Sequence, residues 1–226
     1  MTLESEGRLP GVSLSGPLRP DFPVWGLFGR ALLYAIGQVL IVPAPWTTTG
    51  FYRFLCKHVS LPDGRRLLFA GQPGDIWYIL IGLAVLGWLH NVHHAGVSAA
   101  VTLATIALTV PVLRWFCANV RTEDGQLRIT FDGEALAYLG WNLLFIVSLL
   151  TIIGWAWVLK AMLQWICRNI RGSVGFTFNA SGLAILGHGF LLCLMCVFII
   201  PIPWAMRWYA DWFASQFSAA QPNAAG

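Results

Sequence analysis

The residues best suited to hold a metal ion are His90, His93 and His94. Imidazole is the commonest neutral metal ligand, and His90 and His94 would share one face of a continuing helix. No Asp, Glu or Cys stands close by in the sequence to complete or orient such a site. A polar turn that uses imidazoles as hydrogen-bonding groups accounts for the same cluster. Cys193 and Cys196 have the C-x-x-C spacing of redox centres but lie in a strongly apolar run, where a thiol behaves as a small hydrophobe. The five cysteines are an odd number, and no small disulfide-stapled domain is evident. Cys56, Cys117 and Cys167 recur at one position of a shared motif, which points to packing. No nucleophile–base pair, phosphate loop or dinucleotide fingerprint is present, and Gly172-x-x-Gly175 is only a turn. Neither enzyme chemistry nor a cofactor is therefore expected.

A second set of candidates consists of polar side chains inside apolar runs: Arg30, Asn142, Lys160, Gln164 and His188. Such groups are costly in a bilayer and mark either a polar pathway or a local pairing. Arg30 suits an anion or proton path, or a guanidinium that reaches back to headgroups. Lys160 and Gln164 share a helix face four residues apart. Asn142 and His188 suit interhelical hydrogen bonds. Arg207 and Asp211 have the spacing of a pair on one helix.

These residues sit in a chain of 226 residues that is 57% hydrophobic and only 11% charged. A water-facing domain carries roughly a quarter of its residues as charges, so much of this surface faces something else. The twelve tryptophans fit a membrane interface. A net charge of +4 is too small to argue for nucleic acid and suits a rim that meets anionic lipid. Residues 1–20 lack the pattern of a cleaved leader, so the first apolar helix is expected to act as the insertion signal.

A recurring motif organises the chain. Arg53–Val59 (RFLCKHV), Arg114–Val120 (RWFCANV) and Gln164–Ile170 (QWICRNI) align, and Arg207–Phe213 is read as a weaker fourth copy. The first three run into turn-and-strand signals at 62–71, 123–133 and 172–182, and 11–16 reads as a degenerate first strand. Apolar runs follow at 24–42, 75–90, 135–153 and 183–200, each about one bilayer thickness as helix. Helix breakers end them, and second helices are expected at about 45–59, 98–120, 156–170 and 204–217.

The expected fold is thus an all-α polytopic membrane protein of four repeated helical hairpins, about eight helices, joined by short cytoplasmic β-strand linkers. Its parts are an N-terminal cytoplasmic segment (1–23), one transmembrane domain (24–217, with repeats near 11–59, 60–120, 121–170 and 171–217) and a flexible tail (218–226). None of the 14 Lys and Arg lies in a helix–helix turn. Arg53, Lys57, Arg65, Arg66, Arg114, Arg121, Arg128, Arg168, Arg171 and Arg207 gather at the ends of the second helices and in the linkers. By the positive-inside rule both termini and all linkers face the cytoplasm. A second count stays open: some hairpins are re-entrant, or three short amphipathic second helices lie flat, leaving about five spans.

The stretch Phe131–Tyr138, Asn142-Leu-Leu, Thr151–Trp157, Lys160, Arg168-Asn169 and Phe176-Thr-Phe178 resembles the YjgN-like family of bacterial inner-membrane proteins. That family repeats an F-x-G strand, an apolar helix, a Pro-Trp turn and a basic aromatic helix. The likeness is good over 131–178, partial over 43–71 and 200–209, and departs at the histidine-rich turn of 90–98. It implies fold and a bacterial inner-membrane location, and no chemistry. Architecture favours transport or permeation of a small solute or ion through a pathway lined by the five polar residues. The alternative is a non-catalytic accessory or scaffold protein bound to lipid, to membrane subunits or to a second copy. It expects those groups to be scattered and an apolar face to stay exposed.

Overall fold

Strand and helix alternate because turn chemistry and apolar runs alternate along the chain. The computed structural model describes residues 15–90 and 95–220. Among them the elements run β1 (Gly16–Pro17), β2 (Arg19–Pro20), α1 (Val24–Leu40), α2 (Ala44–Lys57), β3 (Val59–Ser60) and β4 (Leu67–Phe69). Then come α3 (Trp77–Leu89), α4 (Ala95–Asn119), β5 (Val120–Thr122), β6 (Ile129–Phe131), α5 (Ala135–Ser148) and a 3-10 turn (Leu149–Thr151). The chain continues with α6 (Trp155–Arg168), β7 (Ile170–Gly172), β8 (Gly175–Phe178), α7 (Gly182–Cys196), α8 (Ile202–Ser215) and β9 (Phe217–Ala220). The structure is mostly helical, and the helices fall on the expected apolar runs. One of them, α4, is long and apolar enough to cross a bilayer by itself. Residues 218–220, read from sequence as the start of a tail, belong to β9.

Local chemistry explains the helix starts. Pro45 and Pro203 occupy the first turns of α2 and α8, where a missing N–H costs nothing. The Ser181 hydroxyl caps α7 by accepting from the Ala184 N–H at 3.1 Å.

The strands before and after each pair of helices hydrogen-bond to each other. Antiparallel pairs form between β2 and β3, β4 and β5, β6 and β7, and β8 and β9. Each pairing brings the start of the first helix beside the end of the second, so every pair is a hairpin with its strands at one end. β1 adds to the far side of β9, joining the first described strand to the last. Each helix packs on its neighbour in the chain, and α8 returns onto α1, which closes a ring.

One backbone hydrogen bond recurs at all four strand pairs. The Asp21, Ala70, Asp132 and Asn179 N–H groups donate to the carbonyls of His58, Asn119, Asn169 and Gln216 at 2.9, 2.9, 2.9 and 3.0 Å. The accepting residues also share a side-chain role. His58, Asn119, Asn169 and Gln216 each donate to the carbonyl four residues back, at 2.8, 2.9, 2.8 and 3.3 Å, which satisfies the helix C-terminus. Gln216, not Trp212, is therefore the fourth counterpart of Asn119. The fourth copy of the motif is Asp211–Phe217 (DWFASQF), which corrects the expected Arg207–Phe213.

The core lies at the strand end. Leu67 and Phe69 of β4 point inward with Leu68 outward, and Ile129 and Phe131 of β6 repeat the alternation around Thr130. They pack with Cys56, Trp115, Cys117, Val120 and Leu61 in one cluster. Tyr52, Phe69, Trp115 and Phe116 stack within it at ring separations of 5.0 to 6.3 Å.

Candidate functional site

The expected polar pathway residues occupy separate places. Arg30 is exposed on α1, with a guanidinium nitrogen 3.5 Å from where a side chain on Gly50 of α2 would begin. Asn142 donates to the Tyr138 carbonyl of its own helix at 2.8 Å. Lys160 is half-buried on α6, and Gln164, one turn later, donates to the Phe178 carbonyl at 3.3 Å. His188 donates from Nδ1 to the Ala184 carbonyl at 2.8 Å, and its ring stacks on Trp212 at 3.7 Å and Trp208 at 5.0 Å. Neither Arg30 nor Lys160 forms an ion pair among the described residues. Gln164 lines a small cavity with Cys167, Arg168 and Phe178, while the α1–α3 groove and the cleft at Arg66 include none of this set.

His90 is exposed at the C-terminus of α3, while His93 and His94 lie outside the described residues. Among the described residues no group of three or more His, Cys, Asp or Glu could hold a metal ion. Arg207 and Asp211 pair at 3.2 Å, as their spacing suggests. Cys193 and Cys196 are exposed on α7, whereas Cys56, Cys117 and Cys167 are buried.

Charge separates sharply along the hairpins. Every described carboxylate lies at the strand end: Asp21, Asp63, Asp75, Glu123, Asp124, Asp132, Glu134 and Asp211. Arg65 bridges two linkers there, at 2.7 Å from Asp63 and 2.8 Å from Asp124. The Asp124 carboxyl is pushed down to about 2, first by the Thr122 hydroxyl and then by the Arg65 guanidinium. Asp75 is also lowered, by the Gln72 N–H at 2.8 Å and then the Trp115 indole N–H at 3.0 Å. A polar cleft of about 300 Å³ between Asp21, Lys57, His58, Ser60 and Arg66 belongs to this rim.

The opposite end is apolar and uncovered. Leu150 is 84% exposed, Ile152 81%, Ile199 82% and Ile200 83%, with Leu40, Val42, Val197 and Phe198 beside them also exposed. Between α1 and α3 an open groove of about 440 Å³ is lined by Val39, Leu83, Ala84, Gly87, Trp88 and Gln38. Gln38, its one side-chain amide, is already bonded to the Thr48 hydroxyl at 3.0 Å. In water such a surface drives association, whereas in hydrocarbon it is at rest.

Sequence reasoning missed a second recurring contact. The first residue of each motif copy reaches the backbone at the end of the next hairpin's leading strand or just past it. Arg53 donates to the Gly71 carbonyl at 2.8 Å, Arg114 to Gly133 at 3.2 Å and Gln164 to Phe178 at 3.3 Å. Asp211 inverts the polarity and accepts from the Phe22 N–H at 3.3 Å, which closes the ring. The available signal was the Arg set 18 or 19 residues before the glycine of an F-x-G strand.

Comparison of the chain with protein-family models, curated proteins and solved structures returns no match.

Proposed function

We propose that this chain is an integral membrane protein with a non-catalytic role, binding lipid or neighbouring membrane subunits through its apolar hairpins. Its strand end, with both termini, faces the cytoplasm. The likeness of 131–178 to the YjgN-like family belongs to this proposal and supports a bacterial inner-membrane location. The observation that carries it is the separation of two surfaces. Asn142, Gln164 and His188 are bonded one by one at separate sites and Arg30 and Lys160 lie on different helices, while Leu150, Ile152, Ile199 and Ile200 stand more than four-fifths exposed. A solute pathway requires polar groups that converge, and a binding surface requires apolar area that is left over.

Reconstitution into sealed proteoliposomes under an imposed potential tests this. The expected result is ion and solute flux equal to that of empty liposomes. Lipid or subunit retained in mild detergent is expected to be lost from Gly87→Phe, which fills the α1–α3 groove. A flux abolished by Arg30→Gln and Lys160→Met supports transport instead. The closed ring of helices favours that second reading.

A further inference from the structure

Given that membrane reading, we infer that the hairpins α1–α2, α5–α6 and α7–α8 enter the bilayer from the strand side and turn within the hydrocarbon, so that their tips contact acyl chains and never reach the opposite surface. Length is the first observation. The returning helices α2, α6 and α8 have 14 residues each, about 21 Å at a rise of about 1.5 Å, against a hydrocarbon core of about 30 Å. Two of them, α6 and α8, also start beside the first turn of a neighbouring hairpin. Trp204 of α8 packs on Trp25 of α1 at 5.6 Å, and the Trp157 ring of α6 covers Gly182, the first residue of α7.

The turns themselves are the second observation. A loop that emerges into water carries polar side chains, but these three tips read Leu40-Ile-Val-Pro43, Leu149-Leu-Thr-Ile-Ile153 and Val197-Phe-Ile-Ile-Pro201. Their backbones are closed on themselves, as hydrocarbon demands. Val42 N–H donates to Leu40 at 2.7 Å, and Ala44 N–H to Ile41 at 3.1 Å. Thr151 accepts from the Gly154 N–H at 3.0 Å and donates to the Ser148 carbonyl at 2.6 Å. Ile202 N–H donates to Ile199 at 3.3 Å, while Pro43, Pro45, Pro201 and Pro203 have no N–H to satisfy.

Backbone strain is the third. Ile41 and Ile152 both have φ of 62°, each at the centre of a three-residue turn closed by a bond of 2.7 or 2.6 Å. Glycine takes that γ-turn conformation at little cost, whereas for a β-branched residue it is strained. Isoleucine at both positions favours apolarity over turn geometry, which is advantageous where the turn is surrounded by lipid. The α3–α4 hairpin is the exception, because α4 has 25 residues, about 38 Å, and its turn opens with polar His90.

Single cysteines at Leu150→Cys, Ile199→Cys and, as control, Glu123→Cys test this in sealed vesicles, with Cys193→Ala and Cys196→Ala as background. The control is expected to react with a charged, impermeant maleimide applied to one side. The two tip cysteines should react from neither side until detergent is added. Bimane on them should be quenched by lipid carrying a quencher deep in the acyl chain. Labelling from the side opposite the control overturns the inference, because the hairpins then cross. Labelling from the same side, or protection without acyl-chain quenching, also overturns it, since the tips are then outside lipid or covered by protein. If the chain does not stay with the vesicles at all, the membrane reading itself falls.

Discussion

The Arg114 guanidinium donates to the Gly133 carbonyl at 3.2 Å, tying α4 of the second hairpin to the strand that opens the third. Arg53 makes the same contact with Gly71, so the bond is part of how hairpins are joined and is not a local accident. Both carbonyls lie where the chain leaves a strand and has no ladder partner on that side. A cation that satisfies one is worth about 1 to 2 kcal/mol when partly buried. Arg114→Met is expected to lower thermal stability in detergent by about that much, with Arg114→Lys partly restoring it. A midpoint unchanged in Arg114→Met would show that the clamp contributes nothing.

Gly71 and Gly133 have a further reason to be glycine. A Cβ on Gly71 would lie 2.6 Å from the Phe69 and Trp115 rings, and one on Gly133 would lie 2.3 Å from Phe131 and 2.9 Å from Trp165. Those rings are core residues with little room to retreat. Gly71→Ala and Gly133→Ala are each expected to cost about 1 to 3 kcal/mol by thermal unfolding. Gly29→Ala, mid-helix and facing open space, is expected to leave stability unchanged or raise it slightly and serves as the comparison.

The linker bridge gives a pH dependence. Asp124 titrates lower in the fold, at about 2, than its ordinary value of about 3.9. A carboxylate held low stabilises the fold above its unfolded pKa, and the contribution fades as pH falls from about 4 toward 2. The acid limb of a thermal-stability profile should therefore be shallower in Asp124→Asn than in the native chain. Parallel limbs would show that the Thr122 and Arg65 contacts carry no linkage.

The cysteines divide by environment. Cys56, Cys117 and Cys167 are 5%, 5% and 3% exposed, whereas Cys193 and Cys196 face outward from an apolar helix. In membranes the first three should resist all thiol reagents. The last two should take up a lipid-soluble maleimide and refuse a charged one. Modification of Cys193 by the charged reagent would place that face of α7 in water.

Helix positions were legible because apolar length and breakers such as Pro43 and Gly154 are local signals. The strands that open the second and third hairpins were legible too, from Asp63-Gly64 and Asp124-Gly125, but β3, β5, β7 and β9, which follow the second helices, were not, and neither was any pairing. Pairing of β1 with β9 depends on ring closure across the whole chain, which no window of sequence contains. The fourth motif copy was misplaced because Arg207-Trp208 imitates Arg114-Trp115, and alanine stands at the cysteine position in both registers, as Ala210 or Ala214. The Asn179–Gln216 backbone bond and the Gln216 side-chain bond to Trp212 separate them. The five candidate pathway residues were recognisable as costly in apolar helices, but the stacking of Trp212 on His188 and the Phe178 carbonyl at Gln164 come from other elements. The exposed isoleucines of the tips were visible as apolar residues, but their exposure was not.

Alkaline carbonate extraction tests most directly the claim that the apolar hairpins are embedded in a membrane. Peripheral proteins are released by this treatment, and proteins held by buried apolar surface are retained. The account predicts that the full chain stays in the membrane pellet and is freed only by detergent. Recovery of the chain in the carbonate supernatant, folded and without detergent, would contradict it.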